Sequence, residues 1–189
     1  AVLFTQIRPG KDGKLFRMYK FRSMTDERDA EGNLLPDDVR LTEFGKKLRA
    51  TSADELPELI NIFKGDMSVV GPRPQLVRDM VFFTEEEMQR QSVYPGLTGL
   101  AQICGRNNIT WKEKFAFDLQ YIKDISFLED MRIIFRTVFK VSAQEDIATD
   151  GMETAEDYGD WLLRTGQIEK AEYDKKQAEA KKMLDEYEG

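Results

Sequence analysis

The 189-residue chain contains no histidine and a single cysteine, Cys104. Without histidine, Ser-His-Asp and Cys-His catalysis are excluded, as is every histidine-based metal site. An acid, base or nucleophile must come mainly from carboxylates, lysines or tyrosines. One cysteine excludes an internal disulfide framework and fits a reducing compartment. No run of about 18 apolar residues is present, so no segment reads as a membrane span. The first residues show no signal-peptide pattern. Proline is scarce, at 6 residues, yet Pro72 and Pro74 flank one arginine, Arg73.

What is present describes a globular chain with a wet surface: 41% hydrophobic and 33% charged residues. The length suits one domain plus an appendage. The net charge of −7 is uneven. Residues 144–189 carry 14 acidic and 6 basic side chains, a net of −8, and residues 1–143 carry 21 and 22, a net of +1. The acidic balance argues against a nucleic-acid partner, while the near-neutral body suits local contact with phosphates or lipid headgroups.

Residues 2–8 and 15–22 are apolar and aromatic around Pro9-Gly10-Lys11-Asp12-Gly13, which predicts a hairpin. Residues 25–40 read as a loop, and Leu41–Arg49 as a short helix with Leu41, Phe44 and Leu48 inward. Leu56, Leu59, Ile60 and Phe63 recur at helical spacing up to Gly65. Residues 76–92 read as helix, 94–100 as a glycine-punctuated loop, and Trp111–Lys123 and 127–142 as helices. In the last of these, Arg132, Arg136 and Lys140 oppose Ile134, Phe135, Val138 and Phe139, a pattern that suits either a membrane interface or a core helix with a basic edge. Thr154 is the expected cap of a short helix ending at Gly166, and 168–188 carries Tyr173, Gln177, Ala180, Leu184 and Tyr187 at heptad-like spacing. The expected fold is α+β. It is mainly helical, with a small N-terminal β-hairpin, amphipathic interfacial helices and an acidic C-terminal helical arm over 144–189 beyond a domain of residues 1–143.

Two places invite chemistry. Asp54-Glu55 sits just ahead of a helix whose first turn holds Pro57. This pair is an ordinary helix cap, with Ser52 and Glu55 as a capping box, or it is a site for a hard cation and a phosphate. An aspartate is also able to attack phosphorus and form an acyl-phosphate. Arg73 between its two prolines is either an idle surface arginine or a stiffly held phosphate grip. Arg49, Lys20, Arg22 and Arg106 add positive charge, and Asp118 lies within the apolar pattern of Phe115–Ile122, where a solvated helix residue is the simpler reading.

Five blocks then fall into a known order. They are Lys20-Phe21-Arg22-Ser23-Met24, Asp54 to Asn61, Lys64 to Pro74, Pro95 to Gln102, and Gly105-Arg106. Over about residues 3–141 the chain resembles the bacterial sugar transferases, the monotopic polyprenyl-phosphate phosphoglycosyl transferases, in their small single-domain form. The resemblance implies transfer of a sugar-1-phosphate from a UDP-sugar to polyprenyl (undecaprenyl) phosphate with release of UMP and dependence on Mg²⁺. It implies Asp54 as the nucleophile that carries a covalent phosphosugar, and Asp54 and Glu55 as the metal-holding pair. Arg49 and Arg73 match phosphate-contacting positions, with Lys20, Arg106 and Asp118 as further members of that site. The implied location is the cytoplasmic face of the bacterial inner membrane. Family members carry a hydrophobic N-terminal segment that ends just before the position of Leu3. The chain is therefore expected to be a truncated or processed piece of such an enzyme. The arm is expected either to make protein contacts, including pairing of two copies, or to cover the core. The competing expectation is a non-catalytic membrane-surface scaffold that retains the fold.

Overall fold

The computed structural model describes residues 2–105, 109–143 and 156–189. Arg106 and Thr154 lie outside the described residues. The hairpin forms as expected, with β1 (Leu3–Pro9) antiparallel to β2 (Leu15–Phe21). Alternation along β2 turns Phe16 and Met18 onto Met67 and Ile62 and leaves Lys20 on the same face. The hairpin is pinned by Asn61, which is fully buried. Its side chain accepts from Tyr19 N (3.1 Å) and donates to Arg17 O (2.8 Å).

The next elements depart from the expected pattern. The stretch 25–40 is not all loop: it holds a short α1 (Asp37–Arg40) and the bridge Arg28–Leu34, and the bridge Met24–Leu41 closes it. In α2 (Glu43–Ala50), Phe44 is 68% exposed rather than inward. The buried residue is Gly45, where a Cβ would lie 1.9 Å from Ser23 O, so the helix approaches that strand end by its glycine face. α3 (Glu58–Lys64) ends at Gly65, whose φ of 81° is the left-handed geometry glycine tolerates. Its burial is the reverse of a soluble amphipathic helix: Leu56, just before it, and Leu59, Ile60 and Phe63 face outward, Phe63 at 94% exposure, and Glu58 and Asn61 face inward.

β3 (Ser68–Val70) pairs in parallel with β4 (Gly96–Thr98), where a loop was expected. Between them the expected single helix is broken into α4 (Val77–Met80), α5 (Glu85–Met88) and a 3₁₀ turn at Gln89–Gln91. Thr84 and Glu87 form a capping box that starts α5 afresh. α6 (Leu100–Cys104), α7 (Trp111–Lys123) and α8 (Phe127–Ala143) follow. Ile133 of α8 is fully buried with Val70, Ile103 and Tyr121, while Phe127, Leu128, Phe135, Val138 and Phe139 are exposed. No helix among the described residues is long and apolar enough to cross a membrane.

α9 (Tyr158–Arg164) and α10 (Lys170–Glu188) fold back onto the body. Tyr158, Leu162 and Ala180 share one buried cluster with Val77, Met80, Val81, Phe82, Trp111 and Phe115, and Tyr173 and Leu184 pack against it. The heptad-like stripe of α10 is thus applied to the core of its own chain. Asp157 precedes α9 but makes no capping bond; it pairs with Arg78 at 2.6 Å. The start of α9 is instead held by Asp79, which is buried and accepts from Tyr158 N at 2.8 Å.

Two outcomes follow from these contacts. Replacing Asn61 by Ala strands Tyr19 N–H and Arg17 C=O in the interior and should cost about 2–4 kcal/mol, read as a lower urea midpoint at unchanged slope. Burial, reinforced by nearby Asp157, pushes the Asp79 carboxyl up to about 6 against the opposing Tyr158 N–H, Arg78 and Arg8. A raised folded-state value means that the folded chain binds this proton more tightly than the unfolded chain. Stability should therefore fall as pH rises from about 4 through about 6, by roughly 2–3 kcal/mol. Asp79→Asn keeps the acceptor oxygen and should flatten that part of the stability–pH curve.

Candidate active site

Asp54 and Glu55 lie on a 3₁₀ turn, Ala53–Glu55, that leads into α3. The expected capping box is absent: Ser52 makes no capping bond and sits at φ 54°, left-handed geometry that is uncommon and costly for a residue with a side chain. That kink separates the turn from α2 and presents both carboxylates to one basin. Asp54 is 9% exposed. Among the described residues no side chain or backbone group makes a hydrogen bond or ion pair with its carboxylate. Burial and neighbouring Glu55 push its pKa up, opposed by the charges of Lys20, Arg49 and Arg73.

Glu55 is bound on two sides. Lys20 Nζ from β2 lies 3.0 Å from Glu55 Oε1, and Arg73 Nη2 donates to the same oxygen. Burial works against ionisation, but Arg73 and Lys20 outweigh it and hold this carboxyl well below the usual range. Its stabilising contribution is present at neutral pH and is lost only as pH falls below the ordinary carboxylate range. Arg73 is raised in turn, chiefly by Glu55. Arg49 extends from α2 beside this basin, its Nε donating to Ser23 Oγ at 3.0 Å.

Arg73 owes its place to backbone packing. Gly71 N donates to Thr98 O and Gly96 N to Pro72 O, at 2.9 and 3.0 Å. A Cβ at Gly96 would lie 2.1 Å from Gly71 N, so glycine alone lets these segments interlock. The two prolines then stiffen the chain that carries the guanidinium.

The structure thus brings Lys20, Arg49, Asp54, Glu55 and Arg73 together. Asp118 belongs elsewhere: it is buried in α7 and accepts from Arg90 Nε (3.0 Å) and Nη2 (2.6 Å). Neither a solvated helix residue nor an aspartate facing a phosphate describes it. A carboxylate neutralised by a buried arginine offers an anion no attraction. Two neighbours of these residues have no role in the sequence reading. Glu58, 1% exposed, points inward with its Oε1 3.3 Å from Lys20 Nζ, an ion pair without hydrogen-bond alignment. Burial raises its pKa, with Arg73 and Lys20 opposing and Glu55 adding to the rise. Arg90 is the second. Its Nη2 also donates to Arg73 O at 2.7 Å. Glu58 stood in plain view three residues after Glu55, a spacing that shares a helix face.

A carboxylate without a bonded partner, set beside three cations, could receive a phosphate group. Residues 1–144 match the bacterial sugar transferase family. The chain belongs to that family. It is 52% identical over 155 residues to the sugar transferase EpsL of Bacillus subtilis (strain 168), covering 82% of this chain and 77% of that protein. It is 43% identical over 150 residues to the galactosyl transferase CpsE of Streptococcus agalactiae, covering 72% of this chain and 33% of that protein. It is 41% identical over 152 residues to the UDP-glucose:undecaprenyl-phosphate glucose-1-phosphate transferase of Escherichia coli K12, covering 74% of this chain and 32% of that protein. The chain spans about a third of the length of these last two relatives.

The buried ion pairs carry their own test. Lys20→Met removes the cation from both Glu55 and Glu58 and should cost about 2–4 kcal/mol at neutral pH, measured by urea unfolding. Adding Glu58→Gln should restore part of it, with a coupling of at least about 1 kcal/mol. Strictly additive effects would show that Lys20 is not what neutralises Glu58.

Proposed function

We propose that the protein transfers a sugar-1-phosphate from a UDP-sugar to polyprenyl phosphate, with undecaprenyl phosphate as the acceptor, through a covalent intermediate on Asp54. The observation that carries this reading is the contrast between the two adjacent carboxylates: Glu55 is engaged by Lys20 and Arg73, whereas Asp54 is bonded to neither. In the first half-reaction an Asp54 oxygen attacks the phosphorus that bears the sugar. The bond from that phosphorus to the bridging oxygen breaks, and UMP leaves with the electron pair. In the second, a phosphate oxygen of the polyprenyl phosphate attacks the same phosphorus and expels the Asp54 carboxylate, giving a polyprenyl diphosphate sugar. Both halves use one basin in turn, so a water-borne donor and a lipid-borne acceptor need not meet.

Arg73, Lys20 and Arg49 orient the donor's phosphates and offset the charge that gathers on departing UMP. Asp54 and Glu55 are the residues that would hold Mg²⁺. Their hard oxygens suit the ion, which commonly takes one or two carboxylates and completes its shell with substrate phosphates. When bound, Mg²⁺ would supply further charge stabilisation at the diphosphate.

The acceptor's phosphate lies at the level of lipid headgroups, and the outward apolar residues suit that setting. Leu56, Leu59, Ile60 and Phe63 flank the Asp54 turn, and Phe135, Val138 and Phe139 line α8, which packs on β3 and β4. Exposed apolar surface of this extent fits a membrane interface better than open water. The reading places the site at the cytoplasmic face of the bacterial inner membrane.

Incubation of the protein with Mg²⁺ and a panel of UDP-sugars, without lipid, should add the mass of one sugar phosphate and release one UMP per chain. Asp54→Asn should abolish both while leaving the unfolding transition in place. Turnover in the folded variant equal to that of the unaltered chain would remove Asp54 as the nucleophile.

A further inference from the structure

The C-terminal helices lie beyond the family match, which ends at residue 144, yet they reach toward the active site through a chain of contacts. The innermost link is Arg90, 4% exposed. It ties Asp118 to the backbone oxygen of Arg73, as described above, so it sets where the Arg73 main chain lies. Two rings flank its guanidinium: Phe83 at 5.5 Å and Phe115 at 5.7 Å from ring centroid to Cζ. These rings meet each other edge to face at 5.1 Å.

Behind both stands Tyr158, the first residue of α9. Its ring lies edge-on to Phe115 at 5.1 Å and tilted against Phe83 at 5.9 Å. Trp111 and Trp161 close the remaining sides at 5.1 and 5.8 Å. Tyr158 is itself fixed at both ends, its N–H on Asp79 and its hydroxyl donating to Glu87 at 3.0 Å. A close-packed aromatic group with few rotamers transmits position well, because its neighbours have no space to relax into. The guanidinium has the same constraint: its fork bonds are directional, and a small tilt breaks one of them.

We propose that Tyr158 is a positioning residue of the active site, holding Phe83 and Phe115 against Arg90 and so fixing Arg73 beside Glu55. The helices α9 and α10 are on this account part of the catalytic unit. Tyr158 touches no reacting atom; it acts through three side chains. The inference rests on the proposed transferase reaction for its kinetic consequence, and on geometry alone for its effect on Arg90.

The test uses the full chain, labelled with ¹⁵N, as wild type, Tyr158→Ala and Tyr158→Phe. Each is shown to be folded at the assay temperature by its melting curve. Tyr158→Leu, which keeps most of the volume, replaces the alanine variant if that one unfolds. The first readout is hydrogen exchange at the Arg90 Nε–H, identified by the loss of its signal in Arg90→Lys. The second is the rate of the single-turnover UMP burst with Mg²⁺ and UDP-glucose or UDP-galactose. Removing the ring should speed Arg90 exchange by at least about tenfold and slow the burst by about tenfold, and Tyr158→Phe should restore both. Unchanged Arg90 exchange in the folded ring-less variant overturns the proposal. So does a loosened Arg90 with an unchanged burst. A wild-type chain that gives no burst with any UDP-sugar sinks the proposed reaction, while the Arg90 signal still decides whether Tyr158 positions it.

Discussion

The structure turns on one oxygen atom, Oε1 of Glu55. Lys20 reaches it from the hairpin and Arg73 from the proline-flanked segment after β3, and the turn that bears Glu55 leads into α3. Three parts of the chain, separated by 35 and 18 residues, therefore close on a single buried carboxylate. Such a node is costly to desolvate and stabilises only when both cations stay in place. What it provides is geometry. With Oε1 of Glu55 engaged by both cations, the adjacent Asp54 is left without a bonded partner, held in the field of the same cations but not neutralised by contact. One aspartate is thereby kept available and its neighbour made a fixture, although the two share a dipeptide.

The inversion of α3 is a consequence of that node. Lys20 is shared between Glu55 and Glu58, and Asn61 must face the hairpin to satisfy Tyr19 N–H and Arg17 C=O. The polar face of α3 is therefore the inner face. A helix has only two broad faces, so Leu59, Ile60 and Phe63 are turned outward. In an ordinary soluble protein that arrangement would be penalised, since apolar surface of this size favours burial. It becomes consistent once a second apolar medium lies outside. On the proposed membrane reading, one orientation of one helix would meet the demands of the site and of a lipid surface.

Much of the site was legible in the sequence because it is written in short segments. Asp54-Glu55, Arg73 between prolines, and Lys20 at a strand end each carry their chemistry locally, and all reach the same basin. The hairpin, α7 and α8 were legible for a related reason, a clear period or a clear turn. The errors have a common physical source. Periodicity reports which residues share a face and not which way the face points, so Phe44 points opposite to the inward reading, and the α3 stripe, whose direction its spacing left open, points outward. The break at 76–92 was hidden because Thr84 caps a new helix inside a segment of good helical residues. Asp118 and Arg90 are 28 residues apart, and no local pattern announces a buried pair at that separation. Glu58 is the instructive case. Its spacing from Glu55 shares a helix face, but only the inward turn of α3 makes it a buried acid.

The C-terminal helices change how the division of the chain should be understood. Their charge sets them apart in the sequence, yet the largest buried cluster is common to α4, α7, α9 and α10. Val77, Met80, Phe82, Trp111 and Phe115 have their cover in Tyr158, Leu162 and Ala180. Stripped of that cover, several large side chains would meet water at about 1.5–3 kcal/mol each, a large share of a typical domain's stability. The acidic character is confined to the outer surface, where charge is cheaply solvated, and the inner face is aromatic. Composition alone reads the outer face. Because Tyr158 packs on Phe83 and Phe115, the two rings that flank Arg90, the packing that stabilises the chain on this account also limits where Arg73 is able to stand. Stability and catalytic geometry are here two consequences of one set of contacts.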